Sequence, residues 1–180
     1  MTSFWQDHPR QSAALFVLVL GAATIAGAWA FQLVGGYVPC ALCLQERIPY
    51  YVGLPLALAG LILAPWPWPS RALLFLAAVA FVIGAGLGVY HAGAEWGWWP
   101  GPASCGATAG PTGDAGGLLN DLEHIRVVSC TEASWRFPNA SWGLSFAGWN
   151  AVISAALALV ALRGALAMKR RDYGSSSVSQ

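Results

Sequence analysis

Four long stretches of this chain carry no charged side chain, and that absence limits the folds open to it more than any other feature. The first, Ala13 to Val34, has 22 residues. As a helix it is about 33 Å long, enough to cross a hydrocarbon core of about 30 Å. The second, Ile48 to Ala64, is shorter, with Pro49 at its start and Pro55 inside it. Proline is tolerated in a first helical turn, so regular helix is expected to begin only near Ile48. Pro55 is expected to kink the span unless neighbouring groups satisfy the carbonyl it frees. The third stretch runs from Ala72 to about Tyr90 and the fourth from Gly143 to Leu162. Charged residues make up 9% of the 180, where an ordinary soluble domain carries about 25%. So few charges cannot cover a water-facing surface, and lipid is the solvent for much of the chain. No two-residue alternation competes with these runs, which favours helices over a barrel. The expected fold is all-α and integral to the membrane: a four-transmembrane-helix bundle in the lipid bilayer. A formal net charge of +1 offers nothing to nucleic acid.

Between the spans the chain divides simply. Residues 1–12 form a cytoplasmic N-terminus, 13–164 the membrane domain with a long outer loop at 91–142, and 165–180 a cytoplasmic tail expected to be disordered. The apolar run behind Met1–Arg10 has full membrane length and no small-x-small exit, so it is expected to be retained rather than cleaved. Pro65 to Ser70 reads as a tight turn bearing interfacial tryptophans, and Trp96, Trp98, Trp99 and Trp142 fit an interfacial belt. In the outer loop Leu118, Leu119, Leu122 and Ile125 share one side of a short amphipathic helix expected to lie on the membrane surface. Arg10, Arg71, Arg163, Lys169, Arg170 and Arg171 flank one side of the spans, and Arg47, Arg126 and Arg136 the other. That imbalance puts both termini in the cytoplasm. All four cysteines then fall on the outer, oxidising face.

The cysteines come as two pairs. Cys40 and Cys43 form a Cys-x-x-Cys at the outer end of the first span, a spacing that closes as a strained, exchangeable disulfide. Cys105 and Cys130 enclose 26 residues of loop, where a disulfide is worth about 3.5 kcal/mol on the chain-entropy model. Read alone, the outer pair is a staple. The inner pair leaves too short a loop to need one, and two pairs on one face point instead to a relay of thiol–disulfide exchange. Arg47, four residues after Cys43, either shares a helical face with it and favours a thiolate or anionic ligand, or snorkels to the headgroups. His91 ends the third span as a polar terminus or as a donor to a ligand. Glu46 is expected to be solvated. Gly84 and Gly88 form a small-xxx-small face for close helix packing.

Pro39-Cys40-Ala41-Leu42-Cys43 followed by Glu46-Arg47, then His91 before Cys105, then Cys130 with Trp135 and Phe137 behind it, resembles the bacterial disulfide bond formation protein B (DsbB) family over nearly the whole chain. The resemblance implies an inner-membrane oxidoreductase that reoxidises a soluble periplasmic DsbA-like thiol oxidase and passes the electrons to ubiquinone or menaquinone. It implies that Cys105 takes the partner's thiolate, that Cys130 is released and exchanges with Cys40, and that Cys43 faces the quinone. It also implies that Arg47 and His91 belong to the quinone site. The passage Pro138 to Gly143 and the glycines between Cys105 and Cys130 depart from the family's pattern and bear on the docking surface. A vitamin K epoxide reductase-like oxidase would carry its active Cys-x-x-Cys near the last helix, whereas here it follows the first. A metal-handling or stapled scaffold protein would need more outer His, Cys or Met; the two methionines, Met1 and Met168, lie at the cytoplasmic ends, and no metal site is expected.

Overall fold

The computed structural model describes residues 8–102, 126–127, 130–133, 135–139 and 143–167. Four long helices account for most of them: α1 (Pro9–Leu33), α2 (Ala41–Ile62), α3 (Pro67–Glu95) and α4 (Phe146–Leu166). α1, α3 and α4 are each long and apolar enough to cross a membrane. α2 is not among them, because Gln45, Glu46 and Arg47 in its second turn and its two prolines dilute the apolar run.

Several boundaries differ from those read in the uncharged runs: α3 runs on to Glu95, into the stretch from 91 expected to be loop, and α4 spans Phe146–Leu166 rather than Gly143–Leu162. α2 begins at Ala41, not near Ile48, so Pro49 lies inside it. The segment ahead of Pro49 is held by a capped N-terminus and by buried side-chain bonds to two other helices, described below, and these outweigh the carbonyl that proline leaves unpaired. α3 begins at Pro67, inside the stretch expected to be a turn: Pro67 occupies the first helical position, where its missing N–H costs nothing. α1 likewise starts early, on Pro9. The expected loop helix around Leu118–Ile125 and the tail beyond Ala167 lie outside the described residues.

Each helix packs against its sequence neighbours, and α4 closes back on α1, so the four form a ring with little contact across either diagonal. The four-residue link between α2 and α3 reverses the chain, as short helix connections do. The interior is built largely from small residues. Ala57, Ala77, Ala78, Ala158 and Ala161 are buried around Val17, Tyr50, Phe81 and Leu157, while Val19, Val82 and Ile83 face outward. Large apolar side chains outside and small ones inside is the pattern expected when lipid is the solvent and helices associate by close packing. Ser70 Oγ donates to the Gly60 carbonyl at 2.8 Å and pins the start of α3 to α2. α1 is the peripheral member: 17% of its apolar window is buried, against 39% for α3 and α4.

Two short strand ladders shape the end of the bundle that carries the cysteines. β1 (Tyr37–Val38) pairs in parallel with β2 (Arg126–Val127), register Val38↔Val127. β3 (Arg136–Phe137) pairs antiparallel with β4 (Leu144–Ser145). The second ladder stacks Trp135 on Phe146, centroids 4.7 Å apart, and Phe31 of α1 meets the edge of the same Phe146 at 4.8 Å. The first ladder has the larger consequence. It ends two residues before Cys40 and three before Cys130, so the two cysteines emerge side by side.

Gly88 shows how tightly α3 and α4 meet. A Cβ there would lie 2.8 Å from the Ala151 amide nitrogen and 2.9 Å from its Cα, backbone atoms that cannot turn aside. Gly88→Ala is expected to cost about 1–3 kcal/mol by forcing the helices apart. Gly86→Ala, where nothing lies within 4 Å, serves as the control. Thermal unfolding in detergent is the measurement; equal melting temperatures for the two variants would contradict the packing described.

Candidate functional site

The N-terminus of α2 gathers the reactive groups. Cys40 is the helix N-cap: its backbone is extended, and its Sγ accepts the Cys43 amide N–H at 3.2 Å. A sulfur in that position faces the unpaired amides at the positive end of the helix, which favours a thiolate. Cys43 is one turn further on, its sulfur 2.8 Å from that of Cys40, and both are free thiols. Little movement separates this pair from a disulfide, whose S–S bond is about 2.05 Å.

His91, from α3, stands behind the pair and is 1% exposed. Its Nε2 lies 3.8 Å from Cys40 Sγ and its Nδ1 2.7 Å from Glu46 Oε1. With Nδ1–H held by the carboxylate, Nε2 is left to give a proton to Cys40 or take one from it. Glu46 is therefore not solvated as expected: it is buried because an imidazole 45 residues away supplies the partner that water would otherwise provide. Glu95, one turn beyond His91, places Oε1 4.0 Å from Nε2 and accepts the hydroxyl of Ser145, the N-cap of α4. The N-termini of α2 and α4 and the C-terminus of α3 are thus joined by one buried polar chain.

Cys130 completes the cluster. It is fully buried and disulfide-bonded, and its sulfur, that of Cys40 and a ring nitrogen of His91 all lie within 4.8 Å of one another. Three such atoms could in principle surround a metal. A sulfur already in a disulfide has no thiolate to offer one, however, whereas a thiolate beside a disulfide is the starting geometry for exchange. Cys105 lies outside the described residues.

On the other side of Cys43 is a cavity of about 270 Å3 between α1, α2 and α4. Cys43, Glu46, Arg47 and Tyr50 form its α2 wall, and Phe146, Trp149, Asn150 and Ile153 its α4 wall. Arg47 is buried and turned onto α1: Nη1 donates to Gln32 Oε1 at 2.7 Å, Nη2 to the Ala28 carbonyl at 3.5 Å, and Cζ sits 5.3 Å from the Trp29 ring centroid. Across the bundle Tyr50 Oη donates to Asn150 Oδ1 at 2.8 Å and lies 3.0 Å from Ser154 Oγ. His91 and Cys40 are not cavity-lining residues, so the structure sets His91 behind the thiols, with Cys43 between the cluster and the cavity. Gln32, Glu95, Ser145 and Asn150 were not singled out in the sequence. For Gln32 and Asn150 a signal was available, because each is a polar residue within an apolar run.

The Cys43 thiol donating to Cys40, then His91 and the Cys43 amide, hold the Cys40 pKa down to about 4 from 9.0, against the burial that raises it. Because the folded value is the lower one, thiolate formation adds to the stability of the reduced protein as pH rises from 4 towards 9, and that stability is lost as pH falls through 4. Alkylation of Cys40, located by mass spectrometry, is expected to change less than about twofold between about pH 5 and about pH 7, where an ordinary thiol gains about tenfold per unit. Glu46→Gln, which weakens the donor behind Cys40, moves the profile upward. A tenfold rise per unit in the unsubstituted protein would show that Cys40 is not held as a thiolate.

A family model described as Disulfide bond formation protein DsbB matches residues 10–163, which takes in α2 and α3, all but the far ends of α1 and α4, and every residue of this cluster. No curated protein and no solved structure matches the chain. A half-buried N-cap cysteine paired with a second thiol, set against a disulfide sulfur at the end of a membrane-embedded bundle, suits disulfide chemistry, and on the family match the chain belongs to the DsbB family of membrane proteins of disulfide bond formation.

Proposed function

We propose that this protein is a quinone-linked thiol oxidase of a bacterial inner membrane that reoxidises a soluble, DsbA-like periplasmic dithiol oxidase. One observation carries the reading: Cys40 lies between a disulfide sulfur, that of Cys130, and a second thiol, Cys43, which itself lines an apolar cavity beside Arg47. Electrons entering at the disulfide thus have a contiguous path of sulfur atoms to the cavity.

In the proposed cycle the partner's thiolate attacks Cys105 of a Cys105–Cys130 disulfide, forming a mixed disulfide and releasing Cys130 as a thiolate. The partner's second thiol resolves that bond; the partner leaves oxidised and Cys105 is left reduced. Cys130 attacks Cys40 of a Cys40–Cys43 disulfide, and Cys43 is released. Cys105 then attacks Cys130, restoring the outer disulfide and freeing Cys40. Two electrons and two protons now reside on the inner pair, the condition with Cys40 and Cys43 free and Cys130 in a disulfide. Cys43 and Cys40 would deliver both to a quinone held beside Arg47, which would leave as quinol, as Cys40 closes the disulfide on Cys43. His91, held by Glu46, takes up and returns the proton at Cys40. The Arg47 guanidinium favours negative charge at the cavity, and its planar fork suits a carbonyl oxygen. The cavity fits a flat ring with few polar atoms: Phe146, Trp149 and Ile153 supply apolar and aromatic surface beside a single cation. A DsbA-like partner is itself a strong oxidant, so few disulfides could reoxidise it, and a quinone, ubiquinone or menaquinone, supplies the driving force.

The reading takes α2 as the fourth crossing, with both termini in the cytoplasm and all four cysteines on the periplasmic face. After reduction, a membrane-impermeant thiol reagent is expected to label the cysteines only from the outer face; labelling of Cys40 or Cys130 solely from the cytoplasm would overturn the orientation. The relay is tested with a partner carrying a single active-site cysteine. Cys43→Ser is expected to abolish quinone reduction, followed by quinone absorbance, while a mixed disulfide with the partner still forms on non-reducing electrophoresis. Full quinone turnover in Cys43→Ser would sink the relay.

A further inference from the structure

The α4 wall of the cavity holds a polar group that the redox chain does not use. Asn150 Oδ1 accepts from Tyr50 Oη at 2.8 Å and from Ser154 Oγ at 3.4 Å, but its Nδ2 is buried and has no hydrogen-bond partner among the described residues. Among the described residues it is the one buried side-chain donor or acceptor so left. Turning the amide over does not remove the anomaly. Nδ2 would then face the two hydroxyls, and Oδ1 would be left unpaired in the same place. Buried polar groups are almost always satisfied, and in a membrane interior water does not make up the deficit. Asn150 also lines the cavity, one turn of α4 after Phe146 and beside Trp149.

On the reading that this cavity takes quinone, we infer that Asn150 is a quinone-binding residue whose side-chain amide donates a hydrogen bond to one of the two ring carbonyls. Tyr50 and Ser154 hold the amide in place by occupying its oxygen, which turns the N–H towards the cavity. Arg47 stands on the neighbouring wall formed by α1 and α2. A ring between them would meet a donor from each, fixing its orientation as well as its depth.

Binding of a short-chain ubiquinone to the detergent-solubilised full chain, followed by tryptophan fluorescence, is combined with infrared difference spectra of quinone carrying 13C at one carbonyl at a time. In the unsubstituted protein both carbonyl stretches are expected below their values in detergent alone. In Asn150→Leu one stretch returns to its detergent value and the dissociation constant rises about tenfold, while the other stretch is unaltered. Asn150→Ala gives the same pattern if leucine disturbs packing. Arg47→Ala moves the other carbonyl. Unchanged stretches and affinity in both Asn150 variants, with binding weakened by Arg47→Ala, would overturn this inference and leave the quinone reading standing. A spectrum of the unsubstituted protein in which only one carbonyl is lowered would overturn it without recourse to a variant. Absence of saturable quinone binding to the unsubstituted protein would overturn both.

Discussion

The contact between Glu46 and His91 is the one on which the rest of the cysteine-bearing end depends. It joins α2 to α3 through a buried carboxylate and a buried imidazole, each of which would be costly to bury alone. Because Glu46 is held there, the first two turns of α2 keep a fixed position over α3. The N-cap cysteine is thereby presented to His91, and Cys43 to the opposite side. The same two turns carry Arg47, whose bond to Gln32 holds α1 against α2 at the level of the cavity. One helix end thus divides two environments. On one side the polar chain Glu46–His91–Glu95–Ser145 surrounds a sulfur suited to ionisation. On the other, apolar and aromatic side chains surround Cys43.

The bundle below has a simpler task. Small residues on α3 and α4 let the backbones approach, and the large side chains are left for the lipid face. The peripheral seat of α1 follows from the same logic. Its large residues, such as Val19 and Leu33, face outward, it contributes little to the core, and the space between it and α4 is where the cavity forms.

Much of this was legible in the sequence. Uncharged runs of membrane length located the helices, and the Cys-x-x-Cys between two of them marked the reactive end. Gly84 and Gly88 marked a packed face, and a Cβ on either would crowd a neighbouring helix. What was not legible depended on partners distant in the chain. Glu46 looks like a solvated charge until His91 is brought to it, and nothing local ties Arg47 to Gln32. Pro49 looks like a helix start because local propensity disfavours helix before proline; the bonds from Glu46 and Arg47 override that preference. Asn150 carries no local pattern, and its meaning arises only from what Tyr50 and Ser154 do with its oxygen.

The two-residue parallel ladder between β1 and β2 sets a gauge. From Val38 and Val127, which are in register, the chain advances two residues to Cys40 and three to Cys130. One residue inserted or deleted in either short lead adds or removes up to about 3.5 Å of chain, enough to carry one sulfur out of reach of the other. Length gained or lost between Cys105 and Arg126 leaves that gauge untouched. Homologous chains should therefore differ freely in loop length on the far side of the ladder and hardly at all in these two leads. An alignment of relatives can be anchored on those fixed intervals even where the intervening residues share nothing.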